Sequence, residues 1–309
     1  MKILTIGTSI ITSHFCDAVQ KSKYSTITAV YSRDLEKARL FAKTYHALAY
    51  DNLEEALKDV NINTVYVASV NSLHYTHAKM ALESNKNVIL EKPTTHSAKE
   101  FNHLLEIAHQ HNVFIIEAIT TLFLPNYTWI QDNIYRIGPI KSVHTSYHQY
   151  SSKYDSYLKH ENPNIFTLTY SGGSLVDLNV YNLHFILSLF DTPKYSKYYP
   201  VLGYNGIDIS GVAVLDYQSF IAVASASKSH HGSQSILIEG ELGTLKVSSA
   251  ANTLRQVIIN TRDNEMNSEL FDTQNVLEYE VLVMEKLIKE SNSEEIQKLN
   301  KHSLKVIDI

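Results

Sequence analysis

The feature that most limits how this chain can fold is a rhythm in its first 120 or so residues. Short runs of β-branched and aromatic residues alternate there with longer stretches of helix formers. The runs at 2–6, 26–31, 64–69, 87–91 and 113–117 are largely apolar, the pattern of strands buried on both faces. Between them, 35–44, 52–58, 72–84 and 97–111 favour helix, each opening near a residue that can cap one: Asp34, Asp51 or Asn52, Asn71, Thr95 or His96. Parallel strands must be joined by crossovers, so this order predicts an α/β domain over residues 1–122, with helices on both faces of a doubly wound sheet.

Beyond about residue 125 the pattern changes. Residues 141–150 and 210–227 alternate polar with apolar, followed by 235–239 and 243–248, which reads as antiparallel strands. Helical stretches lie at 178–190 and 276–290, so residues 123–309 are expected to form an α+β domain. No Pro/Gly/Ser-rich linker separates the halves, so a tight crossing near 122–125 and a cleft beside it are expected. With 44% hydrophobic and 19% charged residues, 10 Gly and 6 Pro, the 309-residue chain is globular rather than disordered or fibrous. A net charge of −5 leaves no basic surplus for a phosphate backbone, so a small molecule rather than nucleic acid is the expected partner. The single cysteine, Cys16, allows no intrachain disulfide, no apolar run approaches a membrane span, and the N-terminal run breaks too early for a secretory signal. A cytoplasmic location without membrane contact is expected.

The first strand runs into Gly7-Thr8-Ser9-Ile10-Ile11-Thr12. A Rossmann domain places G-x-G-x-x-G/A here, so that a tight turn brings a pyrophosphate to a helix N-terminus. Only the first glycine is present; Ser9 is small and carries a hydroxyl, while Thr12 fits less well. Alone this is equally an ordinary strand-to-helix turn, but its place at strand one of a βαβαβ unit makes Gly7, Thr8, Ser9 and Ile10 candidate cofactor residues. The second strand ends Tyr31-Ser32-Arg33. A carboxylate there would suit a ribose 2′-hydroxyl; a hydroxyl followed by a guanidinium suits a 2′-phosphate, so Ser32 and Arg33 favour NADP(H) over NAD(H). Asp34 is better placed to cap the next helix.

Two further segments carry a resemblance. One runs from Val67-Ala68-Ser69-Val70-Asn71-Ser72-Leu73-His74 to Asn87-Val88-Ile89-Leu90-Glu91-Lys92-Pro93, and the other is Ser171-Gly172-Gly173-Ser174-Leu175-Val176-Asp177-Leu178-Asn179-Val180-Tyr181. With the Rossmann start, the E-K-P and G-G-x-L-x-D motifs resemble the glucose-fructose oxidoreductase, inositol dehydrogenase and rhizopine catabolism (Gfo/Idh/MocA) family over nearly the whole chain. The resemblance implies NAD(P)-dependent hydride transfer to or from a sugar, polyol or related compound. It also implies a second domain whose open, mainly antiparallel sheet assembles homodimers or homotetramers. Lys92 matches the lysine of E-K-P, Asp177 the aspartate after Gly-Gly, and Tyr181 a position that is tyrosine in the glucose-fructose oxidoreductase and dihydrodiol dehydrogenase branches. Glu117-Ala118 with Phe123-Leu124-Pro125 is similar to a signature of that branch. Leu122 stands where arginine is common, and Asn179 where glycine is familiar.

The chemistry of these residues agrees. Hydride transfer at an alcohol carbon needs a group that takes or gives the hydroxyl proton. Tyr181 can do so if an ammonium such as that of Lys92 stabilises its anion, and Lys92 would also polarise a carbonyl oxygen. Asp177, Tyr181 and His184 recur at helical spacing, which places them on one side of a helix that starts near Asp177. Lys92, Asp177 and Tyr181 are thus the catalytic candidates. Asn71, His74, Glu91 and Lys92 join the cofactor set at strand ends where α/β sheets bind ligands, and His184 and Tyr154 are candidates for the substrate side. Taken singly, Lys92 reads as a surface charge, and Tyr181 and His184 as packed helix residues. The pairs His74-x-x-His77 and His109-x-His111 lack a third ligand at a suggestive spacing, so no metal is expected. Two other functions suit the same scaffold: a non-catalytic nucleotide sensor, and a lyase or epimerase that uses a tightly held nucleotide transiently.

Overall fold

The computed structural model describes residues 1–269 and 274–309. The chain forms two compact units, Met1–Ala118 with Gln274–Asp308, and Ile119–Thr273.

The first unit contains β1 (Lys2–Ile6), α1 (Ile10–Lys21), β2 (Thr26–Tyr31), α2 (Leu35–Tyr45), β3 (Leu48–Tyr50), α3 (Leu53–Lys58), β4 (Thr64–Val67), α4 (His74–Glu83), β5 (Asn87–Glu91), α5 (Ala98–Gln110) and β6 (Ile115–Ala118). The strand order β3-β2-β1-β4-β5-β6 is parallel throughout, with the order reversing between β1 and β4. Ligands bind at such a switch point in doubly wound sheets. Every residue of β4 and β6 is buried, as expected where helices cover both faces. Helix starts follow their caps: Asp34, Asn52 and Ser97 each accept main-chain N–H groups of the first turn.

The second unit holds α6 (Pro125–Asn133), β7 (Ile140–His148), α7 (Tyr154–Leu158), α8 (Val180–Phe190), β8 (Tyr195–Leu202), β9 (Asp208–Asp216), β10 (Ile221–Ser227), β11 (Gln234–Gly240), β12 (Gly243–Val247), β13 (Val257–Thr261) and β14 (Glu265–Asn267). Its sheet runs β14-β13-β12-β11-β7-β10-β9-β8, antiparallel except for the parallel pair β10 and β7. Along β7, Val143, Thr145 and Tyr147 are buried and their neighbours are not, the alternation of a sheet with one covered face.

The domain boundary differs from the expected one at its far end. The last two helices, α9 (Leu277–Lys289) and α10 (Ser293–Ile307), belong to the first unit rather than to a 123–309 domain. α9 lies along α1 and α10 along β6 and α5. Lys21 pairs with Glu278 at 2.6 Å, and Asn300 donates to the Ile115 carbonyl at 3.0 Å. Helix α10 thus covers β6, which would otherwise be an open sheet edge.

Candidate active site

In the first unit, the carboxyl ends of β1, β2, β4 and β5 gather the residues expected to hold a nucleotide. Gly7 has φ +119°, and a Cβ there would stand 2.5 Å from the Ala68 carbonyl oxygen. Both facts demand glycine at the turn. Its N–H donates to the Tyr31 carbonyl at 3.2 Å, tying the turn to the end of β2. Ser9 is the exposed N-cap of α1, with its hydroxyl 3.1 Å from that of the buried Thr12. No acidic residue occupies the first turn of this twelve-residue helix, and Ile10 is 77% exposed beside it. The turn therefore presents main-chain N–H groups and a helix dipole without a competing carboxylate, a surface suited to an anion.

Beside it, Ser32 and the exposed Arg33 follow β2. Asp34 is occupied as a cap: its Oδ1 accepts from the N–H groups of Glu36 at 3.1 Å and Lys37 at 3.2 Å. Asn71 opens a 3₁₀ turn, Asn71–Leu73, ahead of α4.

Two expected cofactor residues take other parts. His74 is 1% exposed, with Nδ1 2.8 Å from the Pro93 carbonyl oxygen and Nε2 3.0 Å from that of Ser69. Burial lowers its basicity against the opposing pull of the two carbonyls. Its ring is a brace between the loops that follow β4 and β5, and it positions the E-K-P segment instead of offering a nitrogen to a nucleotide. Glu91 likewise turns inward: its carboxylate accepts the Tyr66 hydroxyl at 2.5 Å, and burial raises its pKa. Tyr66 in turn stacks on Phe15 of α1, with ring centroids 3.7 Å apart. Glu91 thereby anchors the end of β5, from which the half-exposed Lys92 emerges. His77 lies close by, its Nδ1 3.0 Å from the Ser69 hydroxyl; burial, then the charges of His74 and Arg33, brings its pKa down to about 4.

In the second unit, the G-G-x-L-x-D motif is explained by contact. A Cβ on Gly172 would stand 2.6 Å from the Ile165 carbonyl, and one on Gly173, whose φ is +119°, only 2.0 Å from Oδ1 of Asp208. That close approach lets Asp208 Oδ2 accept the Leu175 N–H at 2.7 Å and the Tyr198 hydroxyl at 2.7 Å. Burial raises the pKa of Asp208, its hydrogen bonds acting in the opposite sense. The segment then makes one π-helical turn, Leu175–Asn179, before α8 begins. Such turns are uncommon and cluster at functional sites.

Asp177 sits in that turn with its side chain 30% exposed, its Oδ2 2.7 Å from Nζ of Lys228. Lys228 is itself 1% exposed; its ammonium also donates to the Ile165 carbonyl at 2.9 Å and lies 4.7 Å over the Phe166 ring. Asn179 is buried and donates to the Ala224 carbonyl at 3.0 Å, while Asn182 reaches the Asn179 side chain and the Ser225 carbonyl. These amides pin the turn to β10. Tyr181 is half-buried against Tyr147, Leu178, Ala226 and Ala250.

The single stripe expected of Asp177, Tyr181 and His184 is not found, because His184, three residues beyond Tyr181 in α8, falls on the buried side of that helix. Asp177 and Tyr181 reach partly open positions, whereas His184 is 1% exposed and packs in the core of α8. Tyr154 opens α7 and packs edge-on to Tyr150 and against Phe166, with centroids 5.3 and 5.7 Å away, so it borders the ring beneath Lys228. Sequence reasoning missed Lys228, Asp208 and Tyr198. Lys228 lies 51 residues after Asp177 in Ser227-Lys228-Ser229-His230-His231, and no spacing marks it.

Comparison with known proteins accords with this geometry. Residues 1–118 match a model described as oxidoreductase family, NAD-binding Rossmann fold, and residues 134–246 match the GFO/IDH/MocA C-terminal domain. The chain is 32% identical over 306 residues to the scyllo-inositol 2-dehydrogenase (NADP(+)) IolU of Bacillus subtilis, covering 98% of this chain and 93% of that one. It is 35% identical to the uncharacterized oxidoreductase YgjR of Escherichia coli, over 80% of this chain and 76% of the relative. In fold it superimposes on KijD10, a 3-ketoreductase from Actinomadura kijaniata in complex with NADP and TDP-benzene, with TM-score 0.87 at 18% identity, covering 99% of this chain and 94% of that one. The chain belongs to the GFO/IDH/MocA family of NAD(P)-dependent oxidoreductases.

Proposed function

We propose that the protein is an NADP(H)-dependent dehydrogenase or reductase that interconverts a hydroxyl and a carbonyl on a sugar, polyol or related compound. The observation that supports this best is the Asp177 turn: a carboxylate fixed by a buried ammonium, one helical turn before a half-buried tyrosine, in a chain related over nearly its full length to an NADP(+) inositol dehydrogenase.

The residues fit a dinucleotide. A Cβ would fill the cradle at Gly7, the N-terminus of α1 carries no acidic residue in its first turn, and Arg33 is exposed and makes no ion pair among the described residues. Gly7, Thr8, Ser9 and Ile10 would hold the pyrophosphate, and Ser32 with Arg33 a 2′-phosphate, which favours NADP(H). Asn71 would border the cofactor at the end of β4, and Lys92 at the end of β5. The nicotinamide would accept or supply the hydride. On the protein side, Tyr181 passes the hydroxyl proton and Lys92 stabilises charge on the substrate oxygen. Asp177 accepts a hydrogen bond from a neighbouring substrate hydroxyl, with Tyr154 beside it.

The expected assembly is a homo-oligomer through the second-unit sheet. Its edge strand β8 exposes Tyr195, Tyr199, Val201 and Leu202 by 63, 51, 56 and 60%, an apolar edge that a second copy would cover.

Assaying scyllo-inositol, myo-inositol, aldoses, ketoses and trans-dihydrodiols with NADP+ and NAD+ tests the reading. Turnover of at least one polyol, faster with NADP+, is expected. A purified protein that retains nucleotide and yields no net reduced coenzyme with any of them would favour a lyase or epimerase instead.

A further inference from the structure

We propose that Lys228 is a positioning residue for substrate recognition: it acts through Asp177 and sets which carboxylate oxygen faces the substrate. The inference rests on the reading above, in which Asp177 accepts a substrate hydroxyl.

The geometry leaves the ammonium little freedom. Three directions are filled, by Asp177 Oδ2 at 2.7 Å, the Ile165 carbonyl at 2.9 Å and the face of Phe166 at 4.7 Å. The Ile165 carbonyl also accepts the Gly173 N–H at 3.2 Å, so the loop before the motif and the turn carrying Asp177 are tied to one cation. From the other side, Asp208 caps the same turn at Leu175 and is braced by Tyr198. An ion pair buried on one side costs desolvation, and a partner removed leaves an uncompensated charge. Apolar pairs of the same volume often hold a fold as well or better. The ion pair supplies something an apolar pair does not, a carboxylate held in one rotamer at a partly open position. A polyol presents several near-equivalent hydroxyls, and a fixed acceptor selects one pose among them. A carboxylate free to turn would bind several poses, most of them with the wrong carbon toward the hydride acceptor.

The test is a double-mutant cycle on the purified full chain, with NADP+ and the fastest polyol of the panel, scyllo-inositol being the first assayed. Asp177→Asn, Lys228→Met, Lys228→Arg and the double variant are compared for kcat, KM and NADPH affinity, with melting temperature as a separate reading. Lys228→Met should lower kcat/KM about tenfold or more, chiefly through kcat, with NADPH affinity within about twofold. Lys228→Arg, which keeps the cation, should recover most of the loss. The double variant should be no slower than Asp177→Asn alone, because the two residues act as one unit. Effects that multiply, or a Lys228→Met enzyme with undiminished kcat/KM, would overturn the proposal. If Lys228→Met does not fold, Lys228→Gln against Lys228→Arg decides it by the same ratio. Should Asp177→Asn itself leave kcat/KM unchanged, the underlying reading of Asp177 fails first, and that outcome is separately visible.

Discussion

At the scale of single residues, the structure separates side chains left exposed at the strand ends from the buried ones that brace those ends. Arg33 is exposed after β2 while Asp34 turns its carboxylate to its helix cap, which leaves the guanidinium as the charged group open to a 2′-phosphate. Charge-assisted hydrogen bonds of this kind contribute about 1.5–3 kcal/mol. Arg33→Ser is therefore expected to raise KM for NADP+ by about 10- to 100-fold and to leave KM for NAD+ nearly unchanged; equal effects on both would show that Arg33 does not read the phosphate. His77 gives a pH dependence. Its folded pKa, about 4, lies below the ordinary 6.5, so below pH 6.5 the unfolded chain binds a proton that the folded one refuses. Stability contributed by the neutral ring is present above 6.5 and is lost as pH falls toward 4. Melting temperature should drop more steeply across that window in the natural protein than in His77→Gln, and parallel curves would contradict it. Residue roles were unevenly legible in the sequence. Gly7 and the capping use of Asp34 could be read, because turn and cap chemistry are local. The bracing role of His74 and the inward turn of Glu91 could not, because both depend on carbonyls and hydroxyls brought near by the sheet.

At the scale of elements, local pattern revealed most strands with a buried, nearly continuous or alternating signal, though not β13, whose Val257 and Ile259 are buried, and missed those without one. β8 was invisible because nearly all its residues are exposed, so no alternation distinguishes its faces. β3 has only three residues, and α10 opens in the polar run Ser291-Asn292-Ser293. The π turn had no sequence signal beyond the two glycines that precede it. The turn depends on Asp208 lying against Gly173. Gly173→Ala would force a Cβ onto that carboxylate at a positive φ, and stability should fall by about 2 kcal/mol or more. Substrate kcat/KM should fall with it, because the Leu175 cap moves. Thermal unfolding and kinetics check both, and a variant with unchanged melting temperature would mean that the turn tolerates the side chain.

At the scale of the whole molecule, the return of α9 and α10 to the first unit was beyond any local reading, since only the three-dimensional sheet shows that β6 needs a cover. The exposed edge at β8 makes the assembly testable. Tyr199→Glu is expected to shift the mass measured by light scattering from an oligomer to the monomer, and a natural protein already monomeric at micromolar concentration would contradict the proposed assembly. The catalytic reading depends above all on Lys92, carried at the end of a strand whose last residue is anchored in the core. A positioned acid–base or charge-stabilising group contributes about 10²–10⁴-fold to rate. The most direct measurement is turnover of the best polyol by Lys92→Ala beside its NADPH affinity: a rate lower by at least about 10²-fold with binding within about threefold is predicted, and undiminished turnover would contradict the account.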